Sequence, residues 1–157
     1  MINVWHRIVG MAAPDSVLTS AGYLLLKAGH YLGLEFEATL GEVGLSAREF
    51  LVLSFVRATD GLSQQELSAR LGLDPTIVVG LVDGLEERGL MQRRRDPADR
   101  RRNVLSVTTD GDAVHVEAID AAAKAEADFL APLSADQRAE LRGWLQAVMR
   151  PRLAWLE

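Results

Sequence analysis

Residues 62–109 read LSQQELSARLGLDPTIVVGLVDGLEERGLMQRRRDPADRRRNVLSVTT. Ser63 followed three residues later by Glu66 is a capping box: hydroxyl and carboxylate each satisfy a backbone amide at a helix start. The helix that follows is two turns long, turns Leu67 and Leu71 inward and closes at Gly72. Asp74 caps a second helix, with Pro75 at its first position, where no amide hydrogen is needed. Val78, Leu81, Val82 and Leu85 recur at helical spacing as its core stripe, and Gly89 ends it. Two capped helices joined by Gly72 and Leu73 signal a helix-turn-helix, although an ordinary helical hairpin has the same pattern. Residues 90–94 and 103–107 then pair as strands across a turn at Asp96, Pro97, Ala98 and Asp99. Leu62 adds a short strand residue beside them. A helix-turn-helix followed by an arginine-rich hairpin predicts a winged helix, which grips duplex DNA.

Charge supports this reading once its distribution is considered. The chain of 157 residues carries 17 Lys and Arg against 22 Asp and Glu, a net −5. Residues 88–102 hold seven Arg and two Asp, a local +5, which leaves ten bases and twenty acids, or −10, elsewhere. A basic patch on an acidic body is the electrostatic footprint of a local contact with DNA. A solvated, salt-bridged surface loop has the same composition.

Outward from this stretch the chain reads as helices. Ser46 and Glu49 form a capping box for a helix to about residue 58, burying Phe50, Leu51 and Phe55 or their neighbours. Before it, Asp15 or Ser16 caps a helix that runs to about residue 40 and is broken by Gly41 and Gly44. Val17, Ala21, Leu24, Leu25, Ala28, Leu32 and Phe36 make one stripe on it. Tyr23, Leu26, Tyr31 and Leu34 fall outside that stripe, so this helix needs a second partner: another subunit or a ligand. After the hairpin, Thr108 caps a long helix over 110–130 with Val114, Ala118, Ala121, Ala122 and Ala125 as inward candidates. Ser134 and Gln137 form a third box. The last helix carries Leu141, Trp144, Leu145, Val148 and Met149, and Leu153, Trp155 and Leu156 follow Pro151. A partner subunit is the easiest place to bury such a tail. Residues 1–14 are uninformative.

The order of elements resembles the MarR family of bacterial transcriptional regulators. The segments LSARLGL, LVDGLEERGL and DPADRR carry the likeness, over residues 15–157. The resemblance implies a mainly α fold with a small β-hairpin, a winged helix-turn-helix with N- and C-terminal dimerisation helices. It divides the chain, read as a single domain over 1–157, into dimerisation helices at 15–40 and 110–157 and a DNA-binding lobe at 46–109. It also implies a homodimer, a recognition helix in the major groove and a wing in the adjacent minor groove. Members often respond to phenolic or lipophilic anions held between dimer helices and lobe, where His30, Tyr31, Phe36 and Phe55 are the candidates here; plain core packing is the alternative for each.

Binding DNA requires phosphate neutralisation and some reading of sequence. Arginine does both through its rigid fork of donors. The family's Asp-x-Arg falls on Asp99 and Arg101, which places Arg101 in the minor groove and gives Asp99 an orienting role. Arg100 and Arg102 flank it. Arg93, Arg94 and Arg95 lie on the hairpin approach, where strand alternation lets only some face DNA, and Arg94 is the candidate. On the recognition helix, Thr76, Gly80, Asp83 and Glu87 lie opposite the core stripe. Thr76 can bond a phosphate or base, and Ile77 and Val79 can touch thymine methyl groups. Many relatives have a polar or basic residue where Gly80 stands, so a modest direct code is expected. Ser63, Gln64 and Gln65 open the preceding helix, where amides and hydroxyls suit anions.

The expected function is a homodimeric, sequence-specific transcriptional regulator, a repressor released by a small lipophilic or phenolic ligand, acting on a pseudo-palindromic operator. The alternatives are a winged-helix protein-interaction module and a ligand-independent DNA-binding protein. No enzyme motif appears, and His6, His30 and His115 lack metal-ligand spacing. No cofactor is expected. With no Cys there are no disulfides or thiol switches. No apolar run approaches a membrane span and no signal peptide is evident, so a cytoplasmic location is expected.

Overall fold

The computed structural model describes residues 17–59, 61–96 and 102–152. A 3-10 turn at Val17–Thr19 leads into α1 (Ala21–Glu42) and α2 (Ala47–Ala58). Then come α3 (Gln64–Leu71), α4 (Pro75–Glu87), β1 (Met91–Arg95) and β2 (Asn103–Val107). Helix α5 (Thr109–Phe129) follows, then α6 (Ala135–Met149) and a 3-10 turn at Arg150–Arg152. No helix among the described residues is long and apolar enough to cross a membrane.

The local signals act where they stand in the sequence. Ser46 with Glu49, Ser63 with Glu66 and Ser134 with Gln137 each form a complete capping box. Asp74 accepts the Thr76 amide at 2.8 Å, and Pro75 opens α4. The turn between α3 and α4 is fixed twice. Gly72 is left-handed at φ 63°, which suits a residue without Cβ. Buried Ser68 donates its hydroxyl to the Leu73 carbonyl at 2.7 Å.

Strands β1 and β2 pair antiparallel, with Met91 opposite Val107 and Arg95 opposite Asn103. Strand β1 lies one residue beyond its expected bounds. The Leu105 amide donates to the Leu62 carbonyl at 2.8 Å, so Leu62 does lie beside the hairpin. The turn at residues 97–99 is outside the described residues.

One core unites the lobe. Leu53, Leu67, Val78, Val82, Leu85 and Met91 are buried together with Leu40 from α1 and Ala118 from α5. On α2 the inward residues are Val52, Leu53 and Val56, while Leu51 is 46% exposed and Phe50 and Phe55 are half-buried against the core. The apolar run on α2 offers two adjacent faces, and packing against α4 and β2 selects the neighbours of the expected ones. On α5 Ala118 and Ala125 are buried as expected, with Val114, Ala121 and Ala122 half-buried.

The outer helices depart further from expectation. Ser20 caps α1, taking the Tyr23 amide at 3.2 Å; Asp15 and Ser16 lie outside the described residues. Gly41 stays inside the helix, and the break comes at Gly44, with φ 76°. Of the expected stripe, Val17, Leu24 and Leu25 are exposed, and Leu26, outside it, is 76% exposed. None of the α6 residues is buried, and Trp144 is 65% exposed. Nothing within the described part of this chain covers these faces; a stripe read from periodicity specifies a burial but not the chain that provides it.

Candidate nucleic-acid interface

Helix α4 presents one buried side and one bare side. Val78, Val82 and Leu85 face the core, while Thr76, Ile77, Val79, Gly80 and Asp83 are exposed. The hairpin stands beside it, and Arg94 on β1 is exposed to solvent. Gln65 is exposed at the first turn of α3. Asp99, Arg100 and Arg101 lie outside the described residues.

Three other expected contacts are engaged within the lobe. The Ser63 hydroxyl is taken up by its own capping box, donating to Glu66 Oε2 at 2.7 Å and accepting the Glu66 amide at 3.3 Å. The same hydroxyl was expected at a phosphate, and the cap has the prior claim. Gln64 turns its oxygen to Arg93 Nε at 3.2 Å, and its amide nitrogen is buried without a partner among the described residues. Arg102 donates to the Gly61 carbonyl at 3.0 Å and ion-pairs with Glu66, and Asp96 stands 3.7 Å away. Its guanidinium therefore ties the foot of the hairpin to α3.

The arginine cluster is thus partly structural. Of its five described members, Arg88, Arg93 and Arg102 are paired with acids. Arg88 meets Glu49 at 2.9 Å and also donates to the Gly44 carbonyl, fastening the end of α4 to α2. Arg93 pairs with both Asp83 and Glu86 of α4, and its backbone amide donates to Glu86 at 3.0 Å. Burial alone would lower the Arg93 pKa, but hydrogen bonds and charge from Asp83 and Glu86 more than offset this and raise it. Glu66 is held below the usual carboxylate range, first by the Ser63 amide and hydroxyl and then by Arg102, so it stays charged in its box.

The junction between lobe and α5 is close-fitting. Thr108 caps α5 by accepting the Gly111 amide at 3.0 Å, and donates to the Gly89 carbonyl at 2.7 Å. A Cβ on Gly111 would stand 2.0 Å from the Leu90 carbonyl oxygen, so only glycine allows this approach. Arg57 of α2 bonds Asp112 of α5 at 2.8 Å. One turn on, His115 is 4% exposed and stacks on Phe50 with centroids 5.4 Å apart. Ser54 gives its one proton to the Phe50 carbonyl, so it accepts from His115 Nε2 at 2.8 Å. Nδ1 is then the bare nitrogen, buried without a partner among the described residues. Burial chiefly, and then Arg57, push the His115 pKa down against the opposing pull of Asp112. The sequence showed His115 only as a histidine outside any metal spacing. Its position on the inner face of α5, three residues before Ala118, was the available signal.

The expected ligand pocket is not gathered in one place. His30 and Tyr31 are exposed on α1 with ring centroids 5.3 Å apart, and Lys27 lies 5.9 and 6.0 Å from the Tyr23 and Tyr31 rings. Phe36 and Phe55 pack against the core instead.

Exposed α4, the hairpin beside it and the helices at either end define a winged helix-turn-helix protein. Residues 45–102 match the model of the MarR family. A "putative transcriptional regulatory protein for hcr operon" from Thauera aromatica is 33% identical over 107 residues, 68% of this chain and 64% of that protein, just under two thirds of its length. The "HTH-type transcriptional repressor Mb2911" of Mycobacterium bovis is 30% identical over 125 residues, 80% of this chain and 90% of that one. CouR from Rhodococcus jostii RHA1, solved with p-coumaroyl-CoA, shares 30% identity at a TM-score of 0.75, covering 87% of this chain and 96% of that one. A structure of the repressor CouR on a 23-mer DNA duplex matches 88% of this chain and 99% of that one, at 30% identity and a TM-score of 0.78. The chain belongs to the MarR family.

Proposed function

We propose that this protein is a homodimeric, sequence-specific DNA-binding repressor of transcription that acts in the cytoplasm. The observation that carries it is the exposed face of α4 beside an arginine-bearing hairpin, in a fold shared almost end to end with a protein solved on duplex DNA. Residues 46–109 act as the DNA-binding lobe, and 15–40 with 110–157 as the dimerisation helices. In the dimer the exposed faces of α1 and α6 cover one another, which accounts for Leu26 and Trp144.

Helix α4 enters the major groove. Thr76 bonds a phosphate or base, Ile77 and Val79 meet thymine methyl groups, and Gly80 lies against the groove. Gln65 and Arg94 contact phosphates, with Arg100. Arg101 enters the minor groove and Asp99 orients it, by likeness to the family's Asp-x-Arg. Ser63, Gln64 and Arg102 serve the contact indirectly, by holding α3 and the hairpin in place.

Two lobes about one helical turn apart demand a pseudo-palindrome. A small lipophilic or phenolic effector that binds a different lobe spacing more tightly shifts the population and releases DNA. The p-coumaroyl-CoA carried by CouR supports this class, and His30, Tyr31, Phe36 and Phe55 are the residues proposed to meet the effector.

The test is selection of a random pool of short duplexes at two salt concentrations. A recovered pseudo-palindrome with half-sites one turn apart is the expected result, and no binding even at low salt refutes the reading. Arg101→Ala should weaken binding strongly at moderate salt while the protein stays dimeric.

A further inference from the structure

We infer that Asp83 is a specificity-determining residue that accepts from a cytosine amino group in each half-site, held in place by Arg93 and brought within reach by Gly80. This rests on the DNA-binding reading above and goes beyond it. Thr76, Gly80 and Asp83 recur at four and three residues along α4, opposite buried Val78, Val82 and Leu85, and so lie along its exposed side. Ile77 and Val79 are apolar, so Asp83 is the strongest hydrogen-bonding group in the middle of this face.

A carboxylate aimed at DNA is normally a liability, because phosphates repel it. Arg93 lessens that repulsion. It reaches across from β1, pairs with Asp83 Oδ1 and Glu86 Oε2, and is itself fixed by its own backbone bond to Glu86 and by Gln64. Arg93 thereby offsets part of the negative charge that Asp83 and Glu86 share and orients the Asp83 side chain, half of which stays exposed. Asp83 therefore arrives at the groove already ordered, without loss of rotamer freedom on binding.

The chemistry selects the base. A carboxylate only accepts hydrogen bonds. In the major groove guanine offers two acceptors, and adenine sets an acceptor beside its amino donor. Cytosine offers an amino donor alone. Aspartate is short, so its backbone must come close to the base edge. Gly80, one turn before it, is exposed, and a Cβ built there meets nothing within 4 Å. The absent side chain leaves the α4 backbone free to approach.

The experiment is duplex selection and sequencing with the full chain and with Asp83→Asn, Arg93→Ala and Gly80→Ala. The unchanged protein should select cytosine at one symmetric position by roughly tenfold or more. Asp83→Asn should lose that preference, in favour of adenine, with the other positions unchanged. Arg93→Ala should flatten the same position more than any other. Gly80→Ala should melt at higher temperature, since alanine is the better helix former, yet read the position less well. The inference is overturned if Asp83→Asn selects the same bases at every position. It is also overturned if Arg93→Ala or Gly80→Ala weakens all positions equally. A wild-type pool with no selected sequence instead overturns the DNA-binding reading itself.

Discussion

The lobe from α2 to β2 and the outer helices α1 and α6 both carry regular apolar stripes, with opposite outcomes. In the lobe the stripes close on one another, and Leu53, Leu67 and Leu85 are inaccessible to solvent. On α1 and α6 much of each stripe remains on the surface, where Leu24, Leu25, Trp144 and Val148 are exposed. The lobe closes its core within one chain, with Leu40 of α1 and Ala118 of α5 completing it. The outer helices carry apolar surface that nothing in the described part of the chain covers, and in the proposed dimer their contribution should depend on protein concentration.

The comparison is broken most severely from the lobe side. Leu53→Ala should lower the unfolding free energy by about 2–5 kcal/mol, since a buried leucine is replaced by a cavity. Urea unfolding should show this loss at every protein concentration. Gly111→Ala comes next. Its Cβ would collide with the Leu90 backbone, which cannot swing aside, so the cost should reach the upper end of the about 1–3 kcal/mol typical of overpacking. A lower thermal midpoint measures it, and an unchanged midpoint would show that α5 can move off the lobe freely.

Trp144→Ala sharpens the contrast from the other side. If α6 is covered by a partner subunit, the dimer should weaken by about 2 kcal/mol, roughly thirtyfold in Kd, with monomer unfolding hardly changed. Sedimentation over a dilution series reads the first, and a Kd equal to the parent's would place Trp144 outside the interface.

The smallest effect concerns His115, at the seam between the two regions. Its pKa is lowered in the fold, so the neutral ring is favoured there. At pH above about 6.5 both folded and unfolded states carry it neutral, and stability is full. As pH falls below that value the unfolded chain takes up the proton first and stability drops, until the folded pKa is passed and the loss levels off. His115→Gln should flatten this part of the profile. Equal slopes for variant and parent between pH 7 and 5 would assign the dependence to other groups.

Most of the lobe was legible because its signals are short-range. A capping box needs two residues three apart, so Ser46 with Glu49 and Ser63 with Glu66 could be read directly, as could Ser134 with Gln137 at the start of α6. The bounds of the hairpin strands were read to within one residue for the same reason. The uses of the arginines were less legible. Arg88 finds Glu49, Arg93 finds Asp83 and Glu86, and Arg102 finds Glu66. Composition shows only seven arginines close together; the fold decides which of them are consumed as struts.

The sequence by itself determined where the helices from α2 onward start, where the turns between them fall, that a winged helix-turn-helix forms and that its cations cluster at the hairpin, but not where α1 begins. Each of these follows from backbone amides and side-chain spacing within a few residues. The tertiary structure alone decided which face of α2 is buried, that Gln64 and Arg102 are engaged within the lobe, and how His115 loses its contact with water. It also set Gly111 against Leu90 and Arg93 against Asp83. Those outcomes depend on which distant elements come together, and a local pattern leaves several partners open until packing selects one.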